Sequence, residues 1–173
     1  MNTRTTSFAI TFALSLAAGF VHAAGTHAGG HGESAIGEPG KAANVKRTVQ
    51  IVMSDAMRFN PSSIEARQGE TVRFVVKNSG QLKHELVLGT ATELAEHAEL
   101  MKKFPEMEHA DANMVTVAPG KTGEVIWRFT KAGTVDFACL QPGHFDAGMK
   151  GAVVVAAGKR PAATGDDHGG HKH

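Results

Sequence analysis

A chain of 173 residues has room for one domain of ordinary size plus tails, which excludes a multidomain enzyme. Its 18 basic and 17 acidic residues, with no block of like charge, offer no surface for a polyanion such as nucleic acid. One cysteine excludes an intramolecular disulfide and any paired-cysteine redox or zinc motif, and it stands beside 10 histidines and 7 methionines.

At the N-terminus, Arg4, the apolar run Phe8 to Phe20 and the small-residue site Val21-His22-Ala23 predict a cleaved signal peptide over residues 1–23 and export to the periplasm. The run is shorter than the roughly 20 residues a bilayer core requires, so no membrane span is expected after cleavage. Cleavage removes Arg4 and no acid, and the mature chain then carries no net charge. Its single thiol faces an oxidising compartment, where metal ligation is one form of protection. Residues 24–45 are rich in Gly, Ala and His, and 158–173 repeat that bias. Both are expected to be flexible tails, because neither carries enough apolar surface to order itself. One domain is expected over 46–157.

Within the domain, Arg47 to Met53, Thr71 to Lys77, His84 to Leu88, Glu124 to Thr130, Thr134 to Cys139 and Gly151 to Ala156 are short runs rich in Val, Ile, Phe and Thr. They predict strands, with shorter candidates at Ser63 to Arg67 and Met114 to Val117. Asn60-Pro61, Gln68-Gly69, Asn78-Ser79-Gly80, Pro119-Gly120 and Ala132-Gly133 mark the turns. Seven or eight such strands make an all-β fold, a sandwich or barrel. One helical insertion interrupts them. Thr90 to Phe104 places Leu94, His97, Met101 and Phe104 on one stripe, behind a Thr90-x-x-Glu93 capping box and before Pro105. It is expected to connect two strands across the end of the sandwich. Trp127 is expected to anchor the core of its strand.

The chemistry concentrates in Cys139-Leu-Gln-Pro-Gly-His144-Phe-Asp-Ala-Gly-Met149, where a thiol, an imidazole and a thioether share one loop between two strands. Pro142-Gly143 can turn His144 back toward Cys139, and Gly148 can bend the chain before Met149. His84 opens an earlier strand that a sandwich can bring alongside. Two His nitrogens, a Cys sulfur and a weak axial Met match a type 1 copper site, one copper per domain. Such a set lies between the soft sulfur preferred by Cu(I) and the nitrogen preferred by Cu(II). Taken singly, the cysteine, histidine and methionine are each explained by packing. A Cys/His nucleophile pair needs an orienting third group and leaves Met149 and His84 without a role.

The segments MRFNPSSIEARQGETVRFVVKNSGQLKHELVL and CLQPGHFDAGMKGAVVV resemble the cupredoxins, the plastocyanin and azurin group of copper proteins, over about residues 48 to 156. The resemblance implies a Greek-key sandwich with His84, Cys139 and His144 as equatorial ligands and Met149 as axial ligand. HELVLGT, the helical insertion with the FPEMEH that follows it, and the histidine-bearing N-terminal tail are most similar to bacterial cupredoxins of copper tolerance. Two positions depart from the pattern. Glu85 stands where plastocyanins and azurins usually carry an Asn that braces the Cys loop, and Lys83 stands where azurin has a glycine carbonyl.

Other donors invite weaker metal roles. His27 and His31, and His168, His171 and His173, are tail clusters suited to collecting Cu(II) loosely, or simply solvated. Met101, Met107, His109 and Met114 surround the helical insertion, as packing or as a Cu(I) patch. Met53, Met57 and His97 read as packing or surface residues. The expected protein is a monomeric, non-catalytic, periplasmic copper protein cycling Cu(II)/Cu(I), acting in copper tolerance or electron transfer. It would meet a redox partner, such as a cytochrome or copper oxidase, at the surface around His144. The alternative is copper sequestration or delivery by the tails and methionines. Kinship with a copper oxidase or nitrite reductase fits less well, because the domain lacks further histidine clusters.

Overall fold

Burial alternates along the strands as two facing sheets require: the strand Ser63–Arg67 buries Ile64 and Ala66 and exposes the residues between them. The structure is a computed structural model and describes residues 34–107 and 110–158. The expected signal peptide, the tail histidines and His109 lie outside the described residues. No described helix is long and apolar enough to cross a membrane.

The described strands are β1 (Glu38–Pro39), β2 (Arg47–Ser54), β3 (Arg58–Asn60), β4 (Ser63–Arg67), β5 (Thr71–Asn78), β6 (His84–Gly89), β7 (Met114–Val117), β8 (Thr122–Arg128), β9 (Gly133–Ala138) and β10 (Lys150–Ala156). One helix, α1 (Ala91–Lys103), lies between β6 and β7. One sheet has the order β1-β8-β5-β2-β3 and the other β4-β10-β9-β6-β7. Eight of the ten strands match the sequence expectation. The two additions, β1 and β3, are two and three residues long, too short to show a period. Between the sheets lies an apolar core that includes Ile51, Met53, Phe74, Leu86, Phe129 and Phe137.

The expected β-sandwich is therefore present, while the helix differs from expectation in two respects. Its capping box forms as read, with the Thr90 side chain accepting from the Glu93 amide and the Glu93 carboxylate accepting from the Thr90 amide. Its buried face, however, is Leu94, Ala98 and Met101, while Phe104 is 52% exposed. Phe104 caps the helix with a non-helical φ of −131°, so its side chain leaves the stripe. The helix also does not span the sandwich end. It packs on the outer face of the second sheet, where Leu94, Ala98 and Met101 join Val87, Ala138 and Leu140 in a second apolar cluster. This explains why β6 is buried at all six positions: one face meets the core and the other meets α1.

The N-terminal tail also requires correction over its described part. Expected to be flexible over 24–45, the chain instead lies on the first sheet: β1 pairs antiparallel with β8, and Ile36 is buried. The reason lies in Trp127. Its indole N–H is buried in the core and donates to the Ile36 carbonyl at 2.7 Å, which satisfies a polar group that would otherwise be costly to bury. Composition alone overlooks a single apolar residue that has a complementary site. Ile36→Ala is accordingly expected to lower the unfolding free energy of the metal-free protein by about 2 kcal/mol in denaturant titration. A change below about 0.5 kcal/mol is what a tail residue would give.

Candidate metal centre

In the second sheet β9 lies between β6 and β10. The C-terminal end of β9 therefore delivers Cys139 between His84, the first residue of β6, and Met149, just before β10. The Cys139 amide donates to the Met149 carbonyl at 3.1 Å. Between them the loop folds back on itself, with the His144 amide donating to the Gln141 carbonyl at 2.9 Å and the Met149 amide to the His144 carbonyl at 3.0 Å. Gly143 and Gly148 take φ of +82° and +86°, left-handed positions that the expected turn and bend both need.

The result is a convergence of donors. Cys139 Sγ is 3.9 Å from His84 Nδ1 and 3.3 Å from His144 Nδ1, and the three donor atoms all lie within 4.8 Å of one another. His84, Cys139 and Met149 are fully buried, and His144 alone of the four is partly exposed. The set offers two imidazole nitrogens and a thiol, with a buried thioether beside them, which suits a borderline-to-soft ion. Burial pushes the Cys139 thiol up to about 12, against the lowering effect of amide hydrogen bonds from Glu85 and Gln141. His144 is held below the usual imidazole range by burial first and the neighbouring His84 second.

A layer of partners holds these groups in place. Glu85, which departs from the expected Asn, nevertheless braces the Cys loop. Its amide donates to Cys139 Sγ at 3.4 Å, and its carboxylate accepts from the Leu140 amide and from Gln141 Nε2, both at 3.0 Å. An acid here gives two acceptor oxygens to two loop donors. The exposed Lys83 takes no part in these bonds. Asp55 accepts from His84 Nε2 at 2.9 Å, which leaves Nδ1 facing the sulfur. The Gln81 amide first, and His84 next, hold the Asp55 carboxyl below its ordinary range. Three further ties fasten the loop from outside: Lys102 to Asp146 at 2.8 Å, Arg58 to the Ala147 carbonyl at 3.0 Å, and Lys150 over the Phe145 ring at 3.7 Å.

Spacing along the chain brings out His84, Cys139, His144 and Met149, and the fold gathers all four. Asp55 and Arg58 gave no such clue, since Asp55 lies in the turn before β3 and Arg58 opens β3, and both act only through the folded arrangement. Of the expected weaker donors, Met101, Met107 and Met114 share one pocket, Met53 is core, and Met57 packs against the core. The secondary histidines His27, His31, His168, His171 and His173 lie outside the described residues.

The model of the copper-binding plastocyanin/azurin family matches residues 45–156. The copper-resistant cuproprotein CopI of Rubrivivax gelatinosus is 56% identical over 132 residues, covering 75% of this chain and 80% of that one. CopI of Pseudomonas aeruginosa is 40% identical, with 72% of this chain and 84% of that one covered. Among solved structures, the chain resembles reduced auracyanin of Roseiflexus castenholzii with a TM-score of 0.56 at 20% identity, covering 65% of this chain and 98% of that one. Auracyanin A of Chloroflexus aurantiacus gives 0.53 at 24% identity, with 62% and 97% covered. The two structural likenesses bear on the fold.

Two outcomes follow from the geometry. A metal taken up at Sγ must displace the thiol proton, whereas burial already favours the neutral form of His144. Loading in weakly buffered solution at pH 7 should therefore discharge the Cys139 proton, and apparent affinity should rise with pH through the neutral range; an indicator dye reads the release. Glu85→Ala strands the buried Leu140 amide, and chelator competition should show metal affinity reduced about 10- to 100-fold, with Glu85→Gln losing less.

Proposed function

The chain belongs to the plastocyanin/azurin family of copper-binding proteins, and on that premise we propose that it is an exported type 1 copper protein of bacterial copper tolerance. His84, Cys139 and His144 are the equatorial ligands and Met149 the axial one. The observation that carries this assignment is the convergence of the two Nδ1 atoms and Sγ within 4.8 Å, among residues of which only His144 is partly exposed. Copper bound there supplies a one-electron couple between Cu(II) and Cu(I).

The protein's own groups adapt the site to that couple. Two sulfurs and two nitrogens lie between the preferences of the two oxidation states, and the loop ties at Asp146, Ala147 and Phe145 oppose rearrangement on a change of charge. The Glu85 N–H pointing at Sγ tempers charge on the thiolate without a formal positive group. Asp55 fixes the His84 tautomer, so Nδ1 keeps its lone pair for the metal. The partly exposed His144 imidazole, among Gly143, Phe145 and Ala147, is the route for an electron to or from a partner protein. The absence of net charge on the mature chain leaves that encounter with little long-range steering.

Copper tolerance is the physiological setting because the relatives matched over most of this chain carry that description. In this role the protein is non-catalytic and resides in the periplasm after loss of residues 1–23. Cells lacking their own copy should regain growth on copper with the full chain and not with Cys139→Ser, while respiratory electron flow stays unchanged. Lost respiration with unaltered tolerance would instead make the protein an electron carrier.

A further inference from the structure

Behind the copper loop lies a second collection of soft donors. Met101 near the end of α1, Met107 in the turn beyond it and Met114 at the start of β7 line one pocket of about 210 Å³, together with Lys83, Glu85, Thr116 and Gln141. Glu85 and Gln141 are the residues that brace the Cys loop, so this pocket shares a wall with the copper centre while using none of its ligands.

Packing accounts for part of this arrangement. Met101 is buried in the cluster under α1, and Met114 packs against the same cluster. It does not account for Met107, which is 41% exposed, or for a cavity whose lining combines three thioethers with a carboxylate, an amide, a hydroxyl and an ammonium. A space that served only to fill a core would be apolar and closed.

We propose that Met101, Met107 and Met114 form a second metal site, selective for Cu(I). Three neutral thioethers are soft donors, and no imidazole lines the pocket among the described residues, so the set disfavours Cu(II) and Zn(II). The lining includes the Glu85 carboxylate as well as the Lys83 ammonium, so a monovalent cation does not meet an exclusively positive wall. Methionine has three rotatable bonds and a polarizable sulfur, which allows side chains rooted on three separate elements to close around one ion. The partly open position of Met107 gives the ion a way in. The site goes beyond the copper centre at Cys139 and does not depend on that centre's ligand assignment.

The test uses the full chain labelled with 13C in its methionine methyl groups, titrated with Cu(I) without oxygen and followed by NMR. The Met101, Met107 and Met114 methyl signals should move together and saturate after about one equivalent of copper beyond that reported by Met149. A triple variant, Met101→Leu with Met107→Leu and Met114→Leu, conserves volume and should bind about one equivalent less Cu(I) in competition with a chromogenic chelator. The proposal is overturned if the three signals stay still while excess Cu(I) binds elsewhere, or if the triple variant binds as much Cu(I) as the parent. Met149 reports the separate centre, so a failure there is distinguishable from a failure here.

Discussion

Everything in the site depends on a buried sulfur being held beside two imidazoles by a scaffold that cannot relax around it. Cys139 Sγ has no exposed surface, and it is flanked by His84, which opens β6, and by Met149, which immediately precedes β10. Adjacent strands in a sheet are fixed at a spacing of about 4.8 Å, so this three-strand arrangement sets the reach between donors before any metal arrives. The second apolar cluster under α1 then covers Val87 of β6 and Ala138 of β9, which buries the end of β9 that leads into Cys139.

The layer around the donors refines that placement through charge and hydrogen bonding. Glu85 faces the thiol with its amide and the loop with its carboxylate, so one residue sets both the electrostatics of the sulfur and the course of the chain after it. Asp55 performs the equivalent service for His84 from the opposite sheet. These residues explain how a site can depart from its family's usual bracing residue and keep its geometry. An Asn and a Glu can each offer a carbonyl-type oxygen to loop amides, and the longer acid reaches two donors. A carboxyl group beside the thiol is a difference that the family pattern does not specify.

Much of the fold was legible because strand burial has a period of two, and runs such as SIEAR and TVRFVVK carry that period openly. The convergent donors were legible because a thiol, an imidazole and a thioether within one short loop have few shared explanations. What escaped were features created by tertiary contact. Ile36 sits in a stretch of Gly, Ala and His, and only the bond its carbonyl accepts from the buried indole of Trp127 reveals why it is held. Phe104 fits the helical stripe by spacing yet falls at the cap, where the backbone has already turned. The outer-face placement of α1 depends on Val87 and Ala138 being apolar on the side away from the core, which a strand read alone leaves ambiguous.

The proposed function stands or falls on Cys139 ligating copper in concert with His84 and His144. The visible absorption spectrum of the Cu(II)-loaded protein measures this most directly, because thiolate-to-Cu(II) charge transfer gives an intense band that nitrogen and oxygen ligands do not. That band is expected in the parent protein and should be lost in Cys139→Ser. A parent protein without it, or a band that survives the substitution, would overturn Cys139 as a ligand.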